Sequence, residues 1–325
     1  MIMVTEEAGT AERDAGYGDH MDAGLVGSGY ADHLTDPDLE LLATVAEDTG
    51  ARAAGTAASW LRAHPEELLR LVGDSRVFQA VFGPEAPADA AARAALASPF
   101  LIFAVAVHRA AADLETMDHV PERSLRQRVP LFDAPELRDF LGSAARRLFL
   151  AELLASFTRA SSVQYRAAAR GQPGPPSAAR GARGRRVSEL DLVRMAGLLD
   201  AVPEAERAGV YRRLGDVALF LTGVFPDYAA AHALGPVSAT RLLRAAQVPA
   251  RQHDQLAVAP AIDLFEHLGA QWYRAAWGLA PAHTARLAVV AEVAERFRQA
   301  RRVLNHITDR CLFPQGNPWF APPAP

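Results

Sequence analysis

The chain has 325 residues, half of them hydrophobic, with 34 basic against 38 acidic side chains and a net charge of −4; every basic side chain is arginine. Without lysine there is no Schiff-base chemistry, no pyridoxal-phosphate anchor and no P-loop lysine, because a guanidinium stays protonated and acts as a planar fork rather than a nucleophile. The single cysteine, Cys311, excludes an intrachain disulfide, a CxxC redox pair and a cysteine-rich zinc site.

A pI near 6.2 argues against a generally nucleic-acid-binding or membrane-surface protein. The longest apolar run of interest, Pro99–Val107, stops at His108-Arg109 and is too short to span a bilayer. The first residues carry Glu6, Glu7, Glu12 and Asp14 where a secretory signal needs positive charge, so the expected location is cytoplasmic, with no membrane partner.

Residues 1–33 read as a disordered acidic tail, with seven acids against one base, Arg13. Thr35 or Asp36 then caps a first helix, with Leu39, Leu42 and Val45 as its stripe. Helices are predicted at 54–63, 65–72, 75–82 after the Asp74 cap, and from Ser98-Pro99 to about Leu114. A charged arm, Pro121–Val129, leads to Asp133 as the cap of a helix, and a longer helix follows at 144–164 with Leu150, Leu153, Leu154 and Phe157 on one face.

Residues 166–187 hold Arg166, Arg170, Arg180, Arg183, Arg185 and Arg186 among Gly, Pro and Ala with no acid, a flexible basic loop. Ser188 is expected to cap 189–200, Pro203 to start a helix reaching Gly223, and further helices to cover 236–247, 253–278 and 282–312 before a proline-rich end. Nothing alternates with period two. The predicted fold is all-α, with about ten to twelve short, orthogonally packed helices. It divides into an N-terminal lobe at 34–165, the arginine loop at 166–187, a C-terminal lobe at 188–313 and a tail at 314–325.

The most distinctive stretch is YRRLGDVALFLTGVFPDY at Tyr211–Tyr228, a helix amphipathic in its first half and apolar all round in its second. Arg212 and Arg213 precede Asp216 by four and three residues, so a helical salt bridge is expected at the lip of a buried segment. With SPFLIFAVAVHRAAADL at 98–114 and ARRVLNHITDRCLF at 300–313, this stretch resembles a functionally uncharacterised family of all-helical actinobacterial proteins over about 36–313. The abundance of arginine, alanine and proline fits a GC-rich actinobacterial genome. The resemblance implies a helical fold and carries over no catalytic residue.

Asp263-x-x-x-His267 places a carboxylate and an imidazole on one helix face, the spacing of di-iron ligand pairs, with His108 and Glu152 as the remaining metal candidates. Against it, Ile262, Phe265, Leu268 and Trp272 define the apolar side, leaving Asp263 and His267 opposite as a surface ion pair. No Glu-x-x-His exists in the chain. His253-Asp254 matches the doublet of HD-type phosphohydrolases, which would also need His232 and Asp263 or Asp309, but a short doublet arises easily by chance. His108 and His306 read first as buried or boundary residues of helices.

Arg180, Arg183, Arg185 and Arg186 offer salt-sensitive attraction to phosphates or nucleic acid, with only Tyr165 nearby for base stacking. Trp319 and Phe320 lie between prolines and must either fold back or dock on a partner. The functional expectation is therefore a non-catalytic adaptor or regulatory protein working by protein–protein contact or self-association, with no cofactor. The alternatives are a metal-dependent helical enzyme and a weak nucleic-acid binder.

Overall fold

The computed structural model describes residues 24–47, 57–83, 96–124, 127–169, 190–231, 234–314 and 320. These form sixteen α-helices and a single two-stranded hairpin, so the fold is all-α. In chain order the helices are α1 (24–33), α2 (Asp36–Glu47), α3 (Ala57–Ala63), α4 (Glu66–Val72), α5 (Ser75–Phe82), α6 (Pro99–Glu115), α7 (Ala134–Gly142) and α8 (Ala144–Ala169). They continue as α9 (Leu192–Ala196), α10 (Glu204–Val224), α11 (Pro226–Ala231), α12 (Pro236–Ala245), α13 (His253–Ala257), α14 (Ala261–Leu279), α15 (Ala285–Glu295) and α16 (Phe297–Ile307). Among the described residues no helix is long and apolar enough to cross a membrane.

The helix count exceeds the predicted ten to twelve because two long predicted helices are broken and because 24–33 and Pro226–Ala231 form helices that were not expected. Pro260 ends the first at the start of α14, and Arg296, off helical geometry at φ −119° and ψ 32°, separates α15 from α16. The acidic tail is shorter than expected, since 24–33 is helical: Val26 and Tyr30, four residues apart, are both buried. Gly27 is required there, because a Cβ would lie 2.2 Å from the Pro65 carbonyl oxygen. The charged arm is a hairpin, with β1 (Val120–Ser124) antiparallel to β2 (Gln127–Leu131) and Val120 opposite Leu131. Helix α8 runs on to Ala169, past the expected start of the arginine loop at Arg166, and 170–187 lies outside the described residues.

Two compact units make up the chain: residues 1–109 with 143–151, and 110–142 with 152–325. The division thus falls within α6 and α8 and not at the arginine loop. In the first unit, Thr35 and Asp38 form a capping box for α2. The Asp38 carboxylate, fully buried, accepts from the Thr35 amide and hydroxyl at 2.8 Å each and from the Ser98 amide at 2.7 Å. One carboxylate therefore fixes the start of α2 and the residue before α6. Asp74 caps α5 through the Arg76 amide, as expected.

In the second unit α10 packs most extensively on α14, where Gly215 meets Tyr273 and Gly269 meets Phe297. Phe157 stacks on Phe220 with ring centroids 3.9 Å apart. Asp191, and not Ser188, caps α9, accepting from the Arg194 amide at 3.0 Å; Ser188 lies outside the described residues. Asp133 supplies only its backbone carbonyl to the first turn of α7, because its carboxylate is taken by Arg302. After α16 the chain makes one π-helical turn, Thr308–Leu312.

Candidate anion-binding groove

The second unit contains an open groove of about 810 Å³ walled by α9, α10, α12 and the 3₁₀ turn Gly197–Asp200. Helix α12, PVSATRLLRA, buries Ala239, Leu242 and Leu243 and leaves Arg241 and Arg244 on its outer face, three residues apart. Arg207 on α10 reaches the same groove. Among the described residues the lining holds one acid, Asp200, so three guanidinium groups against one carboxylate give +2.

None of Arg207, Arg241 and Arg244 forms an ion pair or side-chain hydrogen bond among the described residues. The Arg207 Nε is buried there without a hydrogen-bond partner. Arg241 lies against the backbone of the 3₁₀ turn, where a Cβ on Gly197 would be 3.1 Å from its Nη2.

Gln247 closes the groove. It has φ 57°, a left-handed conformation usually given to glycine. The geometry is a Schellman end to α12: the Val248 amide donates to the Leu243 carbonyl and the Gln247 amide to the Arg244 carbonyl, each at 3.0 Å. A glutamine here keeps a side chain that glycine would lack, and its Nε2 donates to the Tyr211 hydroxyl at 3.2 Å. That hydroxyl is thereby an acceptor, and no acceptor for its own proton is found among the described residues. Tyr211 Oη–H and three guanidinium groups make a wall of donors. Leu199, Pro236, Val237 and Ala245 supply apolar surface beside it.

Comparison of the chain with protein-family models, curated proteins and solved structures finds no match.

The residues singled out in the sequence fall elsewhere. No group of three or more His, Cys, Asp or Glu side chains suited to a metal is found among the described residues. Asp263 is exposed, and the expected ion pair to His267 does not form. Instead the His267 Nε2 is buried without a hydrogen-bond partner among the described residues, and burial holds its pKa below the ordinary value, with Arg274 adding to the effect. Glu152 faces Arg286 at 3.7 Å. His108, in the first unit, shares a hydrogen bond between Nε2 and the Tyr30 hydroxyl at 3.0 Å, and burial with the nearby Arg147 charge pushes its pKa down to about 3.

His253 donates from Nε2 to the Val248 carbonyl at 2.8 Å, so it caps the end of α12 rather than presenting that nitrogen to a metal. His232 lies outside the described residues, as do Arg180, Arg183, Arg185, Arg186 and Trp319. Phe320 is buried at 8% exposure against Phe220 and Phe225, with ring centroids 5.1 and 6.5 Å away. Its ring is a core group and not a free anchor for a partner.

Arg212 pairs with Asp216 at 2.9 Å as the i,i+4 spacing predicts, and the Tyr273 hydroxyl donates to the same carboxylate oxygen at 2.9 Å. Arg213 turns away to donate to Ser156 Oγ at 3.0 Å and to cover the Phe157 ring.

A second polar centre was not legible in the sequence. Arg301 and Arg302 on α16 are 3% and 2% exposed. Arg301 bridges Glu122 and Glu266 and donates to Asn305 Oδ1 at 2.9 Å. Arg302 pairs with Asp133 at 2.5 Å and Glu122 at 3.1 Å and donates to the Val120 carbonyl at 3.1 Å, which pins β1 and the start of α7 to α16. Burial acts most strongly on Glu122, but its hydrogen bond and charge contacts with Arg301 and Arg302 bring its pKa below the ordinary value. For Glu266 and Asp133 burial wins and the pKa is raised. Its charges pair with one another, so this centre holds structure, although Arg302 Nε and Nη1 lack aligned hydrogen bonds and Asp133 and Arg302 border a cleft of about 310 Å³.

Proposed function

We propose that the protein is a non-catalytic adaptor or regulator that works by protein–protein contact, with the groove between α10 and α12 as its contact surface. The observation that carries this reading is the set of three guanidinium groups lining one groove with no carboxylate partner. Arg241 and Arg244 are exposed on the outer face of α12 and Arg207 is part-buried beside them, so their charges stand open to an acidic group of a partner. Two of the histidines that sequence put forward for catalysis support the same reading, since His108 and His253 are spent on internal hydrogen bonds. The cytoplasmic setting and the actinobacterial affiliation expected from the sequence belong to this proposal.

A photo-crosslinking residue at Val237, which is 85% exposed on the groove rim, tests it in cells of the source type. The expected result is a discrete cross-linked protein, lost in the Arg241→Gln/Arg244→Gln variant. The same probe at Val258, 81% exposed and outside the groove lining, should not trap it. Equal trapping at both positions, or trapping insensitive to the two arginines, overturns the reading.

A further inference from the structure

We infer that the groove recognises a phosphorylated side chain, a phosphoserine or phosphothreonine, on an otherwise apolar segment of the partner protein. This rests on the adaptor reading and adds the chemistry of what is read.

Charge is the first argument. The lining stands at +2, with Arg207, Arg241 and Arg244 against Asp200. One phosphomonoester brings −1.5 to −2 at neutral pH, so a single such group neutralises the groove. A lone carboxylate would leave it half neutralised.

Donor geometry is the second. A guanidinium is a rigid fork that matches the oxygens of phosphate two at a time, and arginine clusters are the usual readers of phosphorylated motifs. Three such forks and the Tyr211 hydroxyl line this one groove, Arg241 and Arg244 from α12 and Arg207 from α10. The Schellman end of α12 sets the Gln247 side chain on the Tyr211 hydroxyl, whose own proton has no acceptor among the described residues.

The apolar wall is the third. Nucleic acid carries phosphates too, but single-stranded binding sites stack bases on exposed aromatic faces. Among the described residues the one aromatic in this lining is Tyr211, which is 5% exposed. What the groove offers beside its cations is aliphatic: Leu199, Pro236, Ala245 and the projecting Val237. Aliphatic side chains flanking a phosphorylated residue complement that surface.

The test uses the full chain and a degenerate peptide library with a central phosphoserine, read by fluorescence polarisation beside the unmodified library and a glutamate-substituted one. Phosphorylated peptides should bind and unmodified ones should not. Arg241→Gln/Arg244→Gln should weaken binding by at least about tenfold, the loss expected for removing charge-assisted hydrogen bonds. Both arginines are solvent-exposed, so this variant keeps its core, and Arg251→Gln, an exposed arginine outside the groove lining, should bind as the wild type does.

Binding that is indifferent to phosphorylation overturns the inference, as does binding unaffected by the double variant. Equal or tighter binding of pyrophosphate or of a single-stranded oligonucleotide, dependent on the same arginines, also overturns it and assigns the groove to that ligand. Phosphatase treatment separates the two levels of the argument. If a partner is trapped at Val237 and remains trapped after dephosphorylation, the phosphate inference fails while the adaptor reading stands. If no groove-dependent partner exists, the adaptor reading fails with it.

Discussion

Gly215 and Tyr273 are in such close contact that a methyl group on residue 215 would come within 2.4 Å of the ring Cδ1 and Cε1. The ring is fully buried and its hydroxyl is committed to Asp216, so it has no room to retreat. Alanine is the better helix former by about 1 kcal/mol, but overpacking of a rigid core costs about 1–3 kcal/mol and prevails here. Gly215→Ala should therefore destabilise the protein, and Gly269→Ala likewise, because its Cβ would lie 2.3 Å from Phe297. Urea unfolding midpoints check this; an increase for either variant would contradict the packing of α10 on α14.

Arg302→Met should cost about 3–5 kcal/mol, because it strands the part-buried Asp133 carboxylate, while Glu122 keeps Arg301. Adding Asp133→Leu should recover part of that loss, since removing both charges is cheaper than orphaning one. A double-mutant cycle in chemical denaturation measures the difference. Strict additivity of the two substitutions would argue against the pairing.

The His108 imidazole is neutral in the folded state down to about pH 3, whereas in the unfolded chain it takes up a proton near pH 6.5. Its folded pKa is lowered, so the unfolded state binds the extra proton, and stability falls as pH drops from about 6.5 towards 3. The charged or titratable groups beside it are Arg147 and Tyr30. The slope from this residue is at most one proton, about 1.4 kcal/mol per pH unit. His108→Gln, which keeps an acceptor for Tyr30, should flatten the acid limb of the stability profile by that amount. An unchanged acid limb would show that another group dominates it.

Phe320→Ala should cost about 3 kcal/mol, the usual penalty for emptying a core aromatic site. Deletion of 314–325 should cost at least as much, since it removes the same ring from Phe220 and Phe225. Thermal melts of both variants should agree within about 1 kcal/mol if Phe320 is the tail's main hold.

Caps and punctuation were the legible part of the fold. Thr35, Asp74, Ser98 and Pro203 stand where helices begin, because capping depends on a few consecutive residues. The i,i+4 pair Arg212–Asp216 was readable for the same reason. The buried ion network was not, because Arg301 and Arg302 find Glu122 and Asp133 across a long stretch of chain. A doublet of arginines on a helix otherwise reads as a solvated face.

The groove was partly within reach. Residues 236–247 contain two arginines three apart and no acid, a local imbalance that reading for catalytic motifs passed over. Arg207 joins them only through the packing of separate helices, which no spacing rule anticipates. The hairpin escaped because Pro121 and Pro130, opposite each other in its register, suppress the usual strand signature.

The first unit borrows nine residues, Ser143–Ala151, from the middle of the chain, and the second is interrupted by that same segment. Neither unit is a contiguous piece of gene. Any end-to-end truncation that removes one unit entirely also cuts into the other, so deletion mapping cannot separate them. Roles can be assigned to one unit only by point variants such as those at Arg241 and Arg244.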